Sequence, residues 1–370
     1  MNNCALYQQF NVTWYSSDTS SEEDEYQVPT IGARTYIRDV MNPFEAYDEQ
    51  NFHIRYRFSK DSVMHGLLPL VNSSLQKFTK KGLPIDPIIQ LLICLRFYAT
   101  TSFQVVIGDL IFLSQPTVSR IVFKISVILA SKLHTYIKFP RNEESIQENR
   151  RLFNRLGYGN GAIGLPNIEG PIDCTHIRLG NNNFSSRAES YRNRKGYFSL
   201  NVQAIVGPRM EFLDLVPEFP GREHDSRILQ NSRIFIRYQQ RELTGMLVGD
   251  AGYPSLTFLL TPFRNPQSEE EHTYNIIQSR TRMIVERTFG VWKRRFPCLS
   301  KGLALNINTC TAVVAACGVL HNLSLQYYDI LVDILDNENE DDLIVEDEYH
   351  RDEPGDGCII RRNIVQQMFG

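Results

Sequence analysis

The sequence lacks a Cys-x-x-Cys pair, a long apolar run, and a basic stretch followed by an apolar one at its N-terminus. The seven cysteines are odd in number and irregularly spaced, so neither a disulfide framework nor a zinc ribbon is supported. The best candidate for a membrane span, Ala312–Leu320, is far too short, and no signal peptide is visible. We therefore expect a reducing setting, in the nucleus, the cytoplasm or both, and no membrane partner.

The sequence also has little net charge, a formal −3, but the charge is distributed unevenly. Residues 18–25 hold five acids and no base, residues 329–356 hold thirteen acids against one base, and residues 26–328 carry a net +12. A basic body suggests a polyanionic partner such as DNA, because Lys and Arg release counterions from a nucleic-acid backbone. A solvated surface that only keeps the protein soluble explains the same charge equally well.

Composition and periodicity predict a helical domain followed by an α/β domain. Strands come first in the second part and then alternate with helices, which indicates a layered α/β arrangement. In chain order we predict a mostly disordered acidic and polar N-terminus (1–50), a helical domain (51–140), a Gly-containing linker (141–169), the α/β domain (170–328) and an acidic tail (329–370).

Individual elements follow from the apolar pattern and from capping residues. The helical part should contain a capped helix after Ser59 and a buried helix, Ile88–Tyr98. The α/β part should contain strands at Ile172–Leu179, Tyr197–Val206, Met210–Val216, Gly245–Asp250 and Phe258–Leu260, and helices at Ser226–Arg237, Tyr274–Trp292 and from an Asn308 cap to Tyr328.

A helix-turn-helix-like pattern spans residues 102–120. Ser102 can cap Phe103–Leu110, a short turn follows, and Pro116 lies in the first turn of the next helix. The polar residues that open this second helix, Gln115, Thr117, Ser119 and Arg120, suit base edges and phosphates. An ordinary helical hairpin gives the same pattern and is far commoner, and the turn lacks the small residue often found there.

Three acids occupy places where chemistry is commonly built. Asp250 ends an apolar strand, which is where α/β sheets form ligand sites. Asp173 lies within a strand, a costly place for a carboxylate unless a cation or a basic partner neutralises it. Glu286 shares one side of a helix with Arg282 and Lys293. Salt bridges to Arg would explain each acid taken singly, whereas together the three suit hard cations such as Mg²⁺, which prefer oxygen ligands.

Several segments resemble the motifs of Harbinger-type (PIF/Harbinger) transposases, in their expected order over roughly residues 50–325. The first acid motif is Gly170–Ile177, and the second strand is Arg194–Gln203. The segments similar to those around the remaining acids are Phe219–Ser226, Val248–Pro254 and Ser279–Phe296. The sequence departs from the family at Cys174, where Gly is usual, and at Phe219, where an indole is common. In a strand Cys174 points away from Asp173, so the acid site is little affected.

The resemblance implies a ribonuclease-H-like mixed sheet flanked by helices, a DDE nuclease domain and hydrolysis of DNA phosphodiesters with Mg²⁺ or Mn²⁺. Its catalytic acids would be Asp173, Asp250 and Glu286, with Asp225 as a fourth metal ligand. Asp173 would bridge two ions that Asp250 and Glu286 hold one each. The resemblance covers active transposases and domesticated nucleases alike, and it implies a separate Myb-like DNA-binding partner protein. It leaves the oligomeric state open, a homo-oligomer included.

Basic residues near these acids are candidates for phosphate contacts. The loop residues Arg187, Arg192, Arg194 and Lys195 come first, and Arg287, Lys293 and Arg294 come next. A solvated basic face is the alternative for all of them. His176 is predicted to support the site by a hydrogen bond rather than to bind metal.

Two other functions compete with the nuclease. A domesticated factor that binds DNA or protein without cutting would keep the same fold, although the presence of all four acids argues against it. An unrelated metal phosphatase would use similar acids, but the sequence shows basic loops and no signature of a small-molecule pocket.

Overall fold

The computed structural model describes residues 42–76, 84–100, 104–109, 113–157, 164–180, 188–329 and 356–369. Residues 1–41 of the N-terminus that was predicted to be disordered lie outside the described residues. So do Ser102, Phe103, Arg187 and the acidic segment 330–355. The N-terminal helices are α1 (Pro43–Ala46), α2 (Glu49–Tyr56), a π-helical turn (Ser62–Leu67), α3 (Leu68–Leu75), α4 (Pro87–Ala99), α5 (Gln104–Asp109), α6 (Gln115–Ala130) and α7 (Leu133–Tyr136).

The helix-turn-helix-like pattern falls on α5 and α6, whose connection lies partly outside the described residues. At the start of α6, Gln115 and Arg120 are exposed, whereas Thr117 and Ser119 are half-buried. The Gln115 amide donates to Gln104 Oε1 at 3.2 Å, so the first turns of the two helices lie side by side. The helices predicted here are present, and contact between this pair and DNA stays a prediction.

The region predicted as a linker contains a helix, α8 (Glu143–Asn154), that was not predicted. Asn142 caps it by accepting a hydrogen bond from the Ser145 amide at 3.1 Å, and two glutamates occupy its first turn. Both features favour a helix N-terminus. The helix has few apolar residues, so its pattern resembles a connection, yet Phe153 is fully buried and fixes it to the α/β domain.

A five-stranded mixed sheet lies at the centre of the α/β domain. Its strands are β1 (Ile168–Arg178), β2 (Ser199–Val206), β3 (Phe212–Pro220), β4 (Met246–Val248) and β5 (Leu259–Leu260). The order across the sheet is β3-β2-β1-β4-β5. β2 is antiparallel to β1 and β3, and β4 runs parallel to β1 and β5. The long β1 therefore joins an antiparallel half to a parallel half.

Helices cover both faces of the sheet, because alternate residues of its strands are apolar on each side. Ile177 and Val202 belong to the face packed against the long helix α11 (Glu269–Arg295), where Trp292 is fully buried. The opposite face packs against α9 (Asp225–Gln230) and α10 (Arg233–Gln239) through Leu229 and Ile234. Where a single helix was predicted, Asn231 and Ser232 separate these two, and Ser232 caps the second.

The C-terminal half of the core is formed by α11, α12 (Cys298–Lys301) and α13 (Ile307–Gln326). The predicted cap at Asn308 is displaced by two residues, because Asn306 accepts from the Thr309 amide at 2.9 Å. By length and composition α13 could cross a membrane. Most of it is buried inside the fold, where it packs on α6 and β3, so it is a core helix.

The helical region and the α/β domain share one apolar core rather than forming separate bodies. The ring of Tyr98 on α4 meets that of Phe296, which follows α11, edge-on at 6.4 Å. Arg295 is buried and donates to the carbonyl oxygens of Arg57 at 2.8 Å and Asp329 at 2.6 Å. Asp329, predicted to open the acidic tail, is thus buried in the junction, where it also accepts from the Ser59 amide at 2.9 Å.

A last helix, α14 (Asp356–Phe369), lies within the region predicted as an acidic tail. It packs next to β5 and α11, and Ile364 joins the apolar cluster there. Arg361 is buried and donates to the carbonyl oxygens of Thr261 at 3.2 Å and Pro262 at 2.8 Å. Its guanidinium also lies 4.1 Å from the centre of the Phe263 ring. The segment that follows β5 is therefore held in place by the C-terminal helix.

We expect Arg361→Ala to lower the free energy of unfolding by about 2–4 kcal/mol, because the substitution leaves buried carbonyl groups without donors. The matched control is Arg362→Ala, at an exposed neighbouring position, which should change it by less than about 0.5 kcal/mol. Urea unfolding followed by fluorescence measures both values. Equal effects of the two substitutions would show that α14 is not anchored through Arg361.

Candidate active site

Asp173 and Asp250 lie where two parallel strands separate. The paired residues of β1 and β4 end at Pro171 and Val248. Asp173 comes two residues after the first of these and Asp250 two residues after the second. Because the strands run in the same direction, this equal offset brings the two carboxylates to the same end of the sheet. The strand register thus places Asp173 and Asp250 at one end of the sheet, and their role as catalytic acids stays a prediction.

The electrostatics of Asp173 agree with this placement. Burial raises the pKa of Asp173 well above its usual range, and the negative charges of Asp250 and Asp225 raise it further. The Cys174 amide donates to Asp173 Oδ1 at 2.7 Å, and this bond acts in the opposite direction, as does the charge of Arg282. Asp173 is thus a carboxylate in a crowded acidic environment that favours a cation.

One polar stripe of α11 faces this end of the sheet. At about 100° per residue, positions 278, 282, 286 and 293 fall within roughly 80° of one another around the helix. The first and last members have partners on the strands: Gln278 donates to the Gly249 carbonyl at 2.6 Å, and Lys293 donates to Thr175 Oγ1 at 2.6 Å. Arg282 and Glu286 lie between these contacts, so the stripe carries both towards the two aspartates.

The Glu286 carboxylate is paired with Arg282, at 3.1 Å between Oε1 and a guanidinium nitrogen. The two side chains retain 29% and 26% of their exposure, respectively, so water still reaches the pair. The structure therefore contains the helix salt bridge that the sequence offered as an alternative for Glu286. It also places Arg282 close enough to Asp173 to lower its pKa.

Asp225 begins α9, on the face of the sheet opposite α11, and β2 side chains hold it. Asn201 Nδ2 donates to Asp225 Oδ1 and to the Glu223 carbonyl, both at 2.9 Å. Gln203 Nε2 lies 3.4 Å from both the Asp225 carbonyl oxygen and the Tyr253 hydroxyl. These supports were not among the residues predicted from the sequence. The signal was present, because Asn201 and Gln203 are polar residues in a strand that is buried throughout.

His176 and Cys174 share that second face. His176 Nδ1 lies 3.0 Å from Ser199 Oγ, and burial lowers the pKa of the imidazole. Cys174 Sγ lies 3.5 Å from the Tyr253 hydroxyl. Cys174 thus points away from Asp173, as its position in the strand predicted, and His176 is bonded to a serine hydroxyl.

These residues suit a divalent cation that is shared with a substrate. Asp173 and Asp250 offer the oxygen ligands that Mg²⁺ and Mn²⁺ prefer, and Mg²⁺ is commonly held by one or two carboxylates together with water and phosphate oxygens. Among the described residues, no three His, Cys, Asp or Glu side chains are grouped closely enough to hold an ion by themselves. This is less than the four-acid cage predicted, because Asn201 holds Asp225 and Arg282 holds Glu286.

The candidate phosphate-binding residues differ in their contacts and in their exposure. Arg194, beside His224, and the exposed Lys195 lie close enough to His176 to lower its pKa. Arg192 is engaged within its own loop, donating to Glu189 at 2.9 Å and to the Gly196 carbonyl at 2.9 Å. Arg287 is exposed and Arg294 is half-buried.

Lys293 is half-buried and bonded to atoms of β1, and contact between it and DNA stays a prediction. Its ammonium donates to Thr175 and also, at 3.2 Å, to the His176 carbonyl, and burial lowers its pKa to about 8. The sequence pattern of adjacent basic residues cannot distinguish Lys293, which is bonded to β1, from the equally half-buried Arg294. Its position is explained by the polar stripe of α11.

Comparison with known proteins defines the class to which this arrangement belongs. Residues 172–322 match the family model described as "DDE superfamily endonuclease". The matched region begins beside Asp173 and includes Asp225, Asp250 and Glu286. No solved structure matches the chain.

Three relatives define the family more narrowly. The Homo sapiens protein named "Putative nuclease HARBI1" is 32% identical over 276 residues, which is 74% of this chain and 76% of the human one. Its Mus musculus counterpart is 34% identical over 280 residues, with the same coverage of 74% and 76%. The Arabidopsis thaliana protein named "Antagonist of like heterochromatin protein 1" is 25% identical over 258 residues, 65% of this chain and 63% of its own. The chain belongs to the family of Harbinger transposase-derived nucleases.

We expect Asp173→Asn to stabilise the metal-free protein. A raised pKa means that the folded protein binds this proton more tightly than the unfolded chain does. Wild-type stability should therefore fall as pH rises from the usual carboxyl range through the raised pKa. In the presence of a chelator at pH 7, the variant should gain about 1–2 kcal/mol in the free energy of unfolding, and the gain should vanish near about pH 4.

Urea titrations across this pH range measure the effect. Asp61→Asn is the control, because Asp61 is 85% exposed and pairs only with the exposed His65 side chain in the described structure; surface pairs of this kind contribute little. A variant less stable than wild type at pH 7 would contradict the crowded acidic environment assigned to Asp173.

Proposed function

We propose that this protein is a divalent-metal-dependent DNA endonuclease with a ribonuclease-H-like domain. The strand order β3-β2-β1-β4-β5, with β2 antiparallel to β1 and β4 parallel to it, supports that fold. The observation that carries the proposal is the pair of acids at the separation of β1 and β4. Asp173 and Asp250 lie at the same end of the sheet, and the charge of one raises the pKa of the other.

The reaction proposed is hydrolysis of a DNA phosphodiester. The oxygen of a water molecule bonds to phosphorus, the bond from phosphorus to the 3′-oxygen breaks, and the products are a 5′-phosphate and a 3′-hydroxyl. A bound Mg²⁺ or Mn²⁺ supplies Lewis-acid activation and neutralises developing charge, and two ions can divide these tasks. In a transposase the freed 3′-hydroxyl would then act as the nucleophile of strand transfer.

The residues of the chain have separate roles in this proposal. Asp173 and Asp250 bind and orient the cation, and Glu286 is the third acid on the α11 side. Asp225 supports them from α9, where Asn201 fixes its carboxylate. Lys293 positions β1 through its bond to Thr175, two residues beyond Asp173.

The setting proposed for this activity is the nucleus, with passage through the cytoplasm. We propose duplex DNA as the substrate and a Myb-like partner as the source of site recognition, as the family resemblance implies. Whether the protein acts as a homo-oligomer, and whether it moves a transposon or serves its host, are separate questions. Terminal inverted repeats flanking the coding region would indicate a mobile element.

We expect Asp250→Asn to reduce plasmid nicking in Mg²⁺ or Mn²⁺ by on the order of 100-fold or more, because one of the two metal-binding carboxylates is lost. Wild type should be inactive in a chelator and should cut duplex DNA in preference to small phosphate esters. Asp61→Asn, which also removes one carboxylate charge, should nick like wild type. Equal nicking by Asp250→Asn and wild type would overturn the mechanism.

The second candidate function is a DNA- or protein-binding factor of the same fold that does not cut. The pairing of Glu286 with Arg282 favours it, because the third acid already has a protein partner. The name of the Arabidopsis thaliana relative describes an antagonist of a heterochromatin-like protein and not a nuclease. DNA binding by wild type, with no nicking in either metal, would select this function.

We expect Lys195→Ala to weaken DNA binding equally across sequences and to reduce the slope of log K against log salt by about 1, because a phosphate contact releases one counterion. Fluorescence anisotropy with a labelled duplex at several salt concentrations measures this slope. Lys138→Ala removes the same charge from an exposed site outside this loop, and its slope should match wild type. An unchanged slope for Lys195→Ala would remove this loop from the DNA surface.

A further inference from the structure

We propose that Arg282 is an internal counter-cation that competes with the divalent metal for the acids of the site. The inference rests on the proposed function, because it assumes that Asp173 and Asp250 bind a cation. It goes beyond that function by giving the metal-free protein a defined arrangement. In that arrangement the Arg282 guanidinium supplies positive charge in place of the metal ion and keeps Glu286 paired.

Helix geometry directs Arg282 towards the site. Gln278, one turn earlier, is bonded to the carbonyl of Gly249, the residue immediately before Asp250. Lys293, three turns later, is bonded to Thr175, two residues after Asp173. Arg282 lies on the same stripe between these two fixed contacts. Its side chain therefore faces the region between the two aspartates and not the outer surface of the helix.

Charge assigns the same role to Arg282. Its guanidinium pairs with Glu286 at 3.1 Å, and the stripe fixed by Gln278 and Lys293 directs it towards the two aspartates as well. One positive group thus serves acids from β1 and from α11. A divalent ion bound by Asp173 would repel this group, and Glu286 could bind the ion only after the ion pair had opened.

The ion pair is suited to opening. Arg282 and Glu286 are each more than a quarter exposed, and ion pairs that water reaches contribute little to stability. A long arginine side chain can therefore exchange Glu286 for water or for a DNA phosphate at small cost. Metal binding and release of Glu286 would be coupled, and the coupling must act in both directions.

The test compares Mn²⁺ binding by wild type, Arg282→Gln and Arg282→Lys, measured by isothermal titration calorimetry without DNA. Arg282→Gln should bind Mn²⁺ more tightly by on the order of tenfold, because a competing positive charge is removed. Arg282→Lys keeps the charge and should remain within about threefold of wild type. In a chelator, Arg282→Gln should melt at a lower temperature than wild type.

Arg280→Gln is the matched control. It makes the same charge change on the same helix, but Arg280 points away from the stripe and donates to the Gly157 carbonyl at 3.1 Å. Its Mn²⁺ affinity should equal that of wild type. Asp250→Asn should abolish binding in every background, which locates the measured ion at the site.

The outcomes separate this inference from the function on which it rests. Tighter Mn²⁺ binding by Arg282→Gln supports the inference, including the case in which wild type binds too weakly to measure. Wild-type binding with unchanged or weaker binding by Arg282→Gln overturns the inference and leaves the metal site standing. Absence of binding in both proteins overturns the metal site and the inference together.

Discussion

The repulsion between carboxylates at the separation of β1 and β4 is the constraint on which this site depends. Two parallel strands that diverge after equal offsets bring Asp173 and Asp250 to one end of the sheet. Water cannot fully screen their charges there, since burial is the largest cause of the raised pKa of Asp173. A fold that keeps such a pair loses stability in its metal-free form and gains a binding site for a cation.

The helices around the sheet are arranged to limit that cost. The 27-residue α11 places amide, guanidinium and ammonium groups along the stripe that faces the two aspartates. Gln278 and Lys293 hold the helix against strand atoms that carry no net charge. On the other face Asn201, a neutral donor, holds Asp225. Neutral and basic groups thus surround the acids on both sides of the sheet.

Much of this could be predicted from sequence because the relevant patterns are local. Asp250 follows an apolar run and precedes the turn at Gly252-Tyr253-Pro254. The helix α11 was predicted from its apolar spacing, but its start was placed at Tyr274, five residues after the Glu269 start that Ser268 caps. Elements whose stability comes from distant contacts were not predictable in the same way. The helix Glu143–Asn154 is polar almost throughout, and α14 is anchored by one buried arginine, Arg361.

The difference between local patterns and distant contacts also explains which features of the site could be predicted from the sequence. Helical spacing put Glu286, Arg282 and Lys293 on one side, and the structure has them there. Spacing could not decide which partner each basic group would have, because that depends on the strand lying opposite. Lys293 donates to Thr175, whereas Arg282 faces the two aspartates and lowers the pKa of Asp173.

The acids of the site call for a counter-cation when DNA binds, as well as for the stability of the fold. Carboxylates repel a phosphate backbone, even though residues 26 to 328 carry a net +12. Arg194 and Lys195 lie close enough to the second face to act on His176, but Asp173 lies on the other side of β1. A positive charge placed between the acids and a phosphate would offset this repulsion. Arg282 can provide one such charge and a divalent ion can provide two, and only the ion can also activate water for attack.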